Sequence, residues 1–192
     1  AVNCVRVANV NATDPESMSA AEVEGRRQVQ ELMHFFHKYV PGCENATLMA
    51  SGSTLGIRES RHIEGDYVLT VEDILSGTVF EDSILLTSSS VDIHGKGGNM
   101  STEYKTVEHG RWYGVPYRCL LPKKVEGLLV AGRCLSATSD AAGAVRVMPP
   151  VMAMGQAAGT AAAIAVKEGH TPRNIDVTLL VATLKDRKVF LG

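Results

Sequence analysis

Adjacent prolines at positions 149 and 150, followed by a small-residue apolar stretch from Val151 to Val166, constrain this chain more than any other feature. Proline has no amide N–H, and the first turn of a helix is where that loss costs least. The stretch behind the prolines is rich in alanine, the strongest helix former. Lys167 follows it, and Gly169 then suits a left-handed helix terminus. A helix is therefore expected from the proline pair through Met152 and Ala157 to about Lys167. Gln156 interrupts the apolar run, which is too short and too weakly apolar to cross a bilayer, so no membrane partner is expected.

Just upstream, Gly127-Leu-Leu-Val-Ala-Gly132 is a short apolar run bounded by glycines, the pattern of a buried strand. A loop of small residues is expected from Ser136 to Gly143, and Arg146-Val-Met-Pro-Pro150 then leads into the helix. Glycine at a strand end lets a ligand or another backbone approach closely. A helix N-terminus offers unpaired N–H groups and positive potential, which suit a phosphate or the N1/O2 edge of a reduced flavin. Gly155, Gly159 and the alanines between them suit close packing. On the residues alone, a well-packed helix behind a strand explains the pattern equally well.

The rest of the chain reads as a mixture of short strands and helices. Strands are expected at Asn3 to Val10, Ala46 to Ala50, Tyr67 to Leu69 and Ser83 to Ser90, with an extended segment from Tyr113 to Leu121. Ser19 and Glu22 have capping-box spacing and predict a helix from about Ala20 to Tyr39, stopped by Pro41-Gly42. Thr70 with Asp73 predicts a short helix through Leu75, and Asp176 a last helix through about Asp186. His94 to Ser101 reads as a glycine-rich loop. The expected fold class is α+β, a mixed or antiparallel sheet with flanking helices plus a C-terminal strand-helix segment.

Several function classes are disfavoured. The net charge is −2 and no basic run stands out, which argues against a nucleic-acid partner. Cys4, Cys43, Cys119 and Cys134 lack metal-ligand spacing and read as free buried thiols. His34 and His37 stand at i, i+3 with no evident third ligand, so a structural role is expected and no metal. The polar cluster Arg58, Glu59, Arg61 and His62 between glycines suits an acidic or hydroxylated substrate and proton movement, or else a solvated, salt-bridged loop.

The stretch LLVAGRCLSATSDAAGAVRVMPPVMAMGQAAGTAAAIA, Leu128 to Ala165, resembles the C-terminal flavin segment of FAD-dependent oxidoreductases of the glutathione-reductase-type superfamily, closest to a bacterial family. Ala20 to Gly42, Leu55 to Thr70 and Val115 to Arg133 resemble the same family, so the likeness covers most of the chain. It implies a Rossmann-like FAD domain, an inserted substrate domain, and a late strand and helix that complete the flavin site. No GxGxxG follows a strand here, and Gly95-Lys-Gly-Gly98 is not that motif. The chain therefore reads as a C-terminal fragment: residues 1–125 a substrate-domain portion, residues 126–192 the FAD-binding segment and terminal helix. Ala1 in place of a start methionine points to a boundary set by processing or by choice of segment.

By the resemblance, Gly132 and Arg133 meet the pyrophosphate or ribityl chain. Met148, Pro149, Pro150 and Val151 face the flavin pyrimidine edge, and Arg146 lies near substrate and flavin. Arg58 and Arg61, with Tyr117 and Arg118, are the substrate-binding candidates. Arg146, Arg58 and His62 are the catalytic ones, and His94 is a weak further candidate. The expected function is hydride transfer between a small-molecule substrate and FAD in the longer parent, with FAD absent from this fragment and the fragment inactive. The expected partner is the missing N-terminal FAD domain, with self-association through the face it would cover. The rival reading is a stand-alone, non-catalytic binding domain derived from a flavoprotein fold.

Overall fold

A computed structural model describes residues 2–94 and 102–192. The described residues divide into two compact units, one ending at Ser60 and one beginning at Arg61.

The first unit is built around α1, Pro15–Tyr39. The Asp14 carboxylate caps it, accepting from the N–H groups of Glu16 at 3.1 Å and Ser17 at 3.4 Å, with Pro15 in the first turn. The helix thus starts before the Ser19/Glu22 pair expected to open it. The Asp14-Pro15 cap and N1 proline supersede that box. Ser19 bonds back to the Pro15 carbonyl at 2.9 Å, and Glu22 accepts the Leu55 N–H at 2.6 Å. Ala21 and Gly25 are the buried positions of α1. A Cβ at Gly25 would stand 3.3 Å from Leu55 and 3.7 Å from Val7, so the flanking segments lie across the helix at this small residue. The segments Asn3 to Val10 and Ala46 to Ala50 are coil, not the expected strands. A strand needs a ladder partner for its N–H and C=O groups, and among the described residues neither segment has one. The Arg6 N–H goes to the Gln28 side chain at 3.1 Å instead.

The second unit holds the main core. Helix α2, Val71–Leu75, opens on a complete capping box between Thr70 and Asp73. Strand β1, Ser83–Thr87, pairs antiparallel with β4, Tyr113–Pro116, in the register Leu86↔Gly114 and Thr87↔Tyr113. Between them β2, Val91–His94, and β3, Thr102–Lys105, form a second two-stranded antiparallel sheet. The expected extended run from Tyr113 tightens after Pro116 into a 3-10 turn, Tyr117–Leu120. Three helices follow: α3, Ser139–Val145, α4, Met148–Glu168, and α5, Val177–Asp186.

The fold is α+β in a broad sense, mostly helical with two small antiparallel sheets among the described residues. The strand pairing is antiparallel, one of the two expected alternatives, and the late strand is not formed among the described residues. Gly127 to Gly132 is coil, with Leu128 exposed; the Val130 N–H donates to the Leu120 carbonyl at 2.9 Å, and the Gly132 carbonyl accepts from Leu135. Four apolar residues between glycines resemble a buried strand locally, but among the described residues no ladder forms along the run. The small-residue loop expected at Ser136 to Gly143 is largely helix α3, whose alanines are buried, because Thr138 caps it and its short side chains fit a crowded interior. The expected loop at His94 to Ser101, with Gly95 to Gly98, falls mainly on residues outside those described.

Packing follows the apolar face of α4. Met154, Ala157, Ala161 and Ala165 are buried with Ile84, Leu85 and Val115 of the first sheet and Leu180 and Leu184 of α5. Each fully buried Leu or Ile contributes about 1.5–3 kcal/mol relative to exposure. The cysteines divide: Cys119 is buried, whereas Cys4 and Cys134 are exposed and Cys43 is half-buried; all four are free. Burial of all four thiols was expected. Only Cys119 lies among core elements; the others stand on coil at the unit surfaces.

Candidate functional site

The second unit laces two segments distant in sequence into one ladder. The Ile63 N–H donates to the Cys134 carbonyl at 3.0 Å. Leu69 N–H donates to the Ser136 carbonyl at 3.1 Å, and Thr138 N–H returns to the Leu69 carbonyl at 2.9 Å. The Gly65 N–H donates to Ser136 Oγ at 3.0 Å. A Cβ on Gly65 would stand 2.6 Å from Ser136 Cβ and 3.2 Å from the Arg118 carbonyl, so only glycine fits here without a shift. His62 Nδ1 lies 3.0 Å from the Leu135 carbonyl oxygen. That oxygen only accepts, so Nδ1 carries a proton, and any proton the neutral ring takes up goes to Nε2.

The ladder runs into a turn at Gly132, whose φ of +92° is a backbone state that favours glycine. The Leu135 N–H closes it onto the Gly132 carbonyl at 3.1 Å. Arg133 and Cys134 are the exposed corner of this turn. Gly132 backs onto the start of α4: a Cβ there would meet Val151 at 3.7 Å. Arg146 caps the C-terminus of α3, and Val147 caps α4 without a side-chain bond. No acidic residue stands in the first turn of α4, so the positive end of its dipole is not neutralised there. Pro149 and Pro150 remove two of the donors that a helix start normally offers. Met148 and Pro149 are exposed, Pro150 is buried and Val151 half-buried.

The structure therefore brings Arg61 and His62, Gly132 and Arg133, and the start of α4 into one region of the second unit. Arg58 and Glu59 belong to the first unit, so the polar cluster is divided at the unit boundary. Tyr117 and Arg118 are committed elsewhere. The Tyr117 hydroxyl donates to the Pro172 carbonyl at 2.8 Å, and burial raises its pKa far above the ordinary value. Arg118 donates through Nε and an Nη to the Asp82 carboxylate at 2.9 and 3.2 Å. Its guanidinium carbon lies 5.0 Å from the centre of the Tyr67 ring. Burial, aided by the hydrogen bond to Asp73, pushes the Tyr67 phenol up to about 12. Burial likewise pushes the neighbouring Cys119 thiol up to about 12, leaving it protonated and unreactive.

Sequence reasoning missed Asp82, Ser136 and the Leu135 carbonyl. Asp82 and Ser136 are ordinary polar residues within their local stretches, and a backbone carbonyl carries no residue signature. Their partners lie 36, 71 and 73 residues away, so no local pattern signals them. Gly155, Gln156 and Gly159, expected to serve packing, are exposed, and a Cβ at either glycine would meet nothing within 4 Å among the described residues. With Met148, Met152 and Val166 they form an exposed stripe on α4. His37 Nε2 contacts the Ala46 carbonyl at 2.8 Å. Among the described residues, no group of three His, Cys, Asp or Glu could hold a metal ion, and no helix is long and apolar enough to cross a membrane.

For a flavin, the chain offers one wall. Gly132 supplies backbone without a side chain, and the start of α4 supplies a positive end with no acidic residue in its own first turn. These features fit the N1/O2 edge of an isoalloxazine. A family model, FAD dependent oxidoreductase, matches residues 2–184. Searches among curated proteins and solved structures found no match.

Proposed function

The chain belongs to the FAD dependent oxidoreductase family, and on that premise we propose that it is the C-terminal portion of a flavoenzyme of the glutathione-reductase type. The parent moves a hydride between a small substrate and FAD. Residues 1–125 contribute to the substrate side, and residues 126–192 supply the late flavin wall and terminal helix. The observation that carries this reading is the convergence of Arg61 and His62, the Gly132 turn and the start of α4, joined by the Ile63–Cys134 bond and the Gly132–Val151 contact.

When bound, FAD accepts or donates the hydride. Gly132 would lie along its pyrophosphate or ribityl chain and Met148 to Val151 along its pyrimidine edge, where the end of α4 favours negative charge. Arg61 orients the substrate, and Tyr117 and Arg118 belong to the substrate side of the same unit; Arg58, in the first unit, is a further substrate candidate. His62 moves a proton at Nε2, since Nδ1 is held by the Leu135 carbonyl. Arg146 stabilises charge beside the flavin. The chain has no GxGxxG to cradle the diphosphate, so the 192-residue form is inactive alone. The exposed stripe of Met148, Met152, Gly155, Gly159 and Val166 is the face the FAD domain covers, and without that domain it promotes self-association.

The test is a visible absorption spectrum of the natural longer gene product beside that of this chain, each with FAD added and then removed by gel filtration. Retained flavin bands in the longer form and none in this chain support the reading. Flavin in neither overturns it and leaves a non-catalytic binding domain on a flavoprotein scaffold.

A further inference from the structure

The acidic groups along the ladder are already engaged, whereas its exposed arginines are not. Glu64 pairs with Lys123 at 3.3 Å. Asp66 pairs with Arg173, which also reaches Glu126 at 2.6 Å. Arg61 and Arg133 are both exposed, and among the described residues neither has an ion pair or hydrogen bond. The Ile63–Cys134 bond brings their segments together. Arg61 stands two residues before Ile63, about 7 Å along an extended chain, and Arg133 immediately precedes Cys134. Both guanidiniums can thus reach a common point beside His62 and the Gly132 turn. Two cations held near each other without a counter-ion favour an anion between them.

We propose that Arg61 and Arg133 form one clamp for a carboxylate, which makes the substrate of this site a small carboxylic acid. The guanidinium fork matches the two oxygens of a carboxylate. A phosphate site draws on backbone N–H groups at a helix start, and Pro149 and Pro150 remove two such donors from α4. Arg133 thereby faces the substrate, and the flavin side is left to Gly132 and the helix start. The inference rests on the flavoenzyme reading for the reaction that follows binding; the binding itself belongs to this chain without flavin.

The experiment is a titration of the 15N-labelled chain with malonate, and separately with inorganic pyrophosphate, following the arginine Nε–H resonances. Malonate is expected to shift Arg61 and Arg133 together with one shared affinity. Arg61→Gln and Arg133→Gln are each expected to weaken it about tenfold or more, as loss of a charge-assisted pair does. Both positions are exposed, and the amide dispersion of each variant reports whether it is folded. Different affinities at the two arginines, no response to malonate, or a response to pyrophosphate alone each overturn the clamp. Malonate binding can stand even if no flavin is found in the longer protein, so the two failures are distinguishable.

Discussion

Gly65 and Ser136 are pressed together: the Gly65 N–H donates to Ser136 Oγ at 3.0 Å, and a Cβ on Gly65 would stand 2.6 Å from Ser136 Cβ. The contact locks the segment bearing Arg61 and His62 onto the one bearing Arg133. Gly65→Ala must therefore shift one segment, at a cost of about 1–3 kcal/mol. Ser136→Gly removes the atom that clashes, so the double variant is expected to be less destabilised than the two single effects summed. Urea denaturation of the four proteins gives the coupling, and strict additivity would show that the segments separate easily.

Alkaline pH should destabilise the second unit. Cys119 and Tyr67 are both pushed up to about 12 by burial, from ordinary values of 9.0 and 10.0. Between about pH 9 and 12 the folded chain keeps protons that the unfolded chain has lost. Stability is therefore fully present below about 9 and falls as pH rises through 12, by up to about 1.4 kcal/mol per pH unit for each proton. Denaturation midpoints at pH 8, 9, 10 and 11 measure the fall. Cys119→Val should flatten its first part, between 9 and 10.

Helix α5 closes on a lysine where glycine is preferred. Lys188 has φ +65°, and the Val189 N–H reaches back to the Leu184 carbonyl at 3.0 Å. The corresponding end of α4 uses Gly169, with φ +69° and a matching bond from His170 to Ala165 at 2.9 Å. Lys188→Gly should relieve about 1 kcal/mol of backbone strain and raise the Tm. An unchanged or lower Tm would mean that the lysine side chain compensates.

Arg118 is held by geometry as well as charge. Its contact with Asp82 uses two nitrogens, and its plane lies over Tyr67 with Phe80 at 5.9 Å. Arg118→Lys keeps the charge but loses the fork, so it should cost about 1 kcal/mol, close to the effect of Arg118→Gln. If the lysine variant matched the wild-type midpoint in urea, the planar contact would carry no weight.

How legible each element was depended on where its partners lie. Helices α2, α4 and α5 were readable because Thr70 with Asp73 and Asp176 satisfy donors within their own first turns, while the Pro149-Pro150 pair removes donors from the first turn of α4. The start of α1 was misplaced because two local signals competed, and Asp14-Pro15 outranked Ser19-Glu22. The strands expected at Asn3, Ala46 and Gly127 failed for a different reason. A strand is defined by its neighbour, and alternation or apolarity says nothing of whether a neighbour arrives.

By itself the sequence determined the capped helices and the family of the chain, since each is written in contiguous residues. Tertiary structure alone decided that Ile63 meets Cys134, that His62 donates to Leu135 across 73 residues, and that Arg118 goes to Asp82. The physical reason is range. Caps and backbone preferences act over three or four residues, whereas a buried donor must find an acceptor anywhere in the fold, and the packing of the whole unit determines which one it meets.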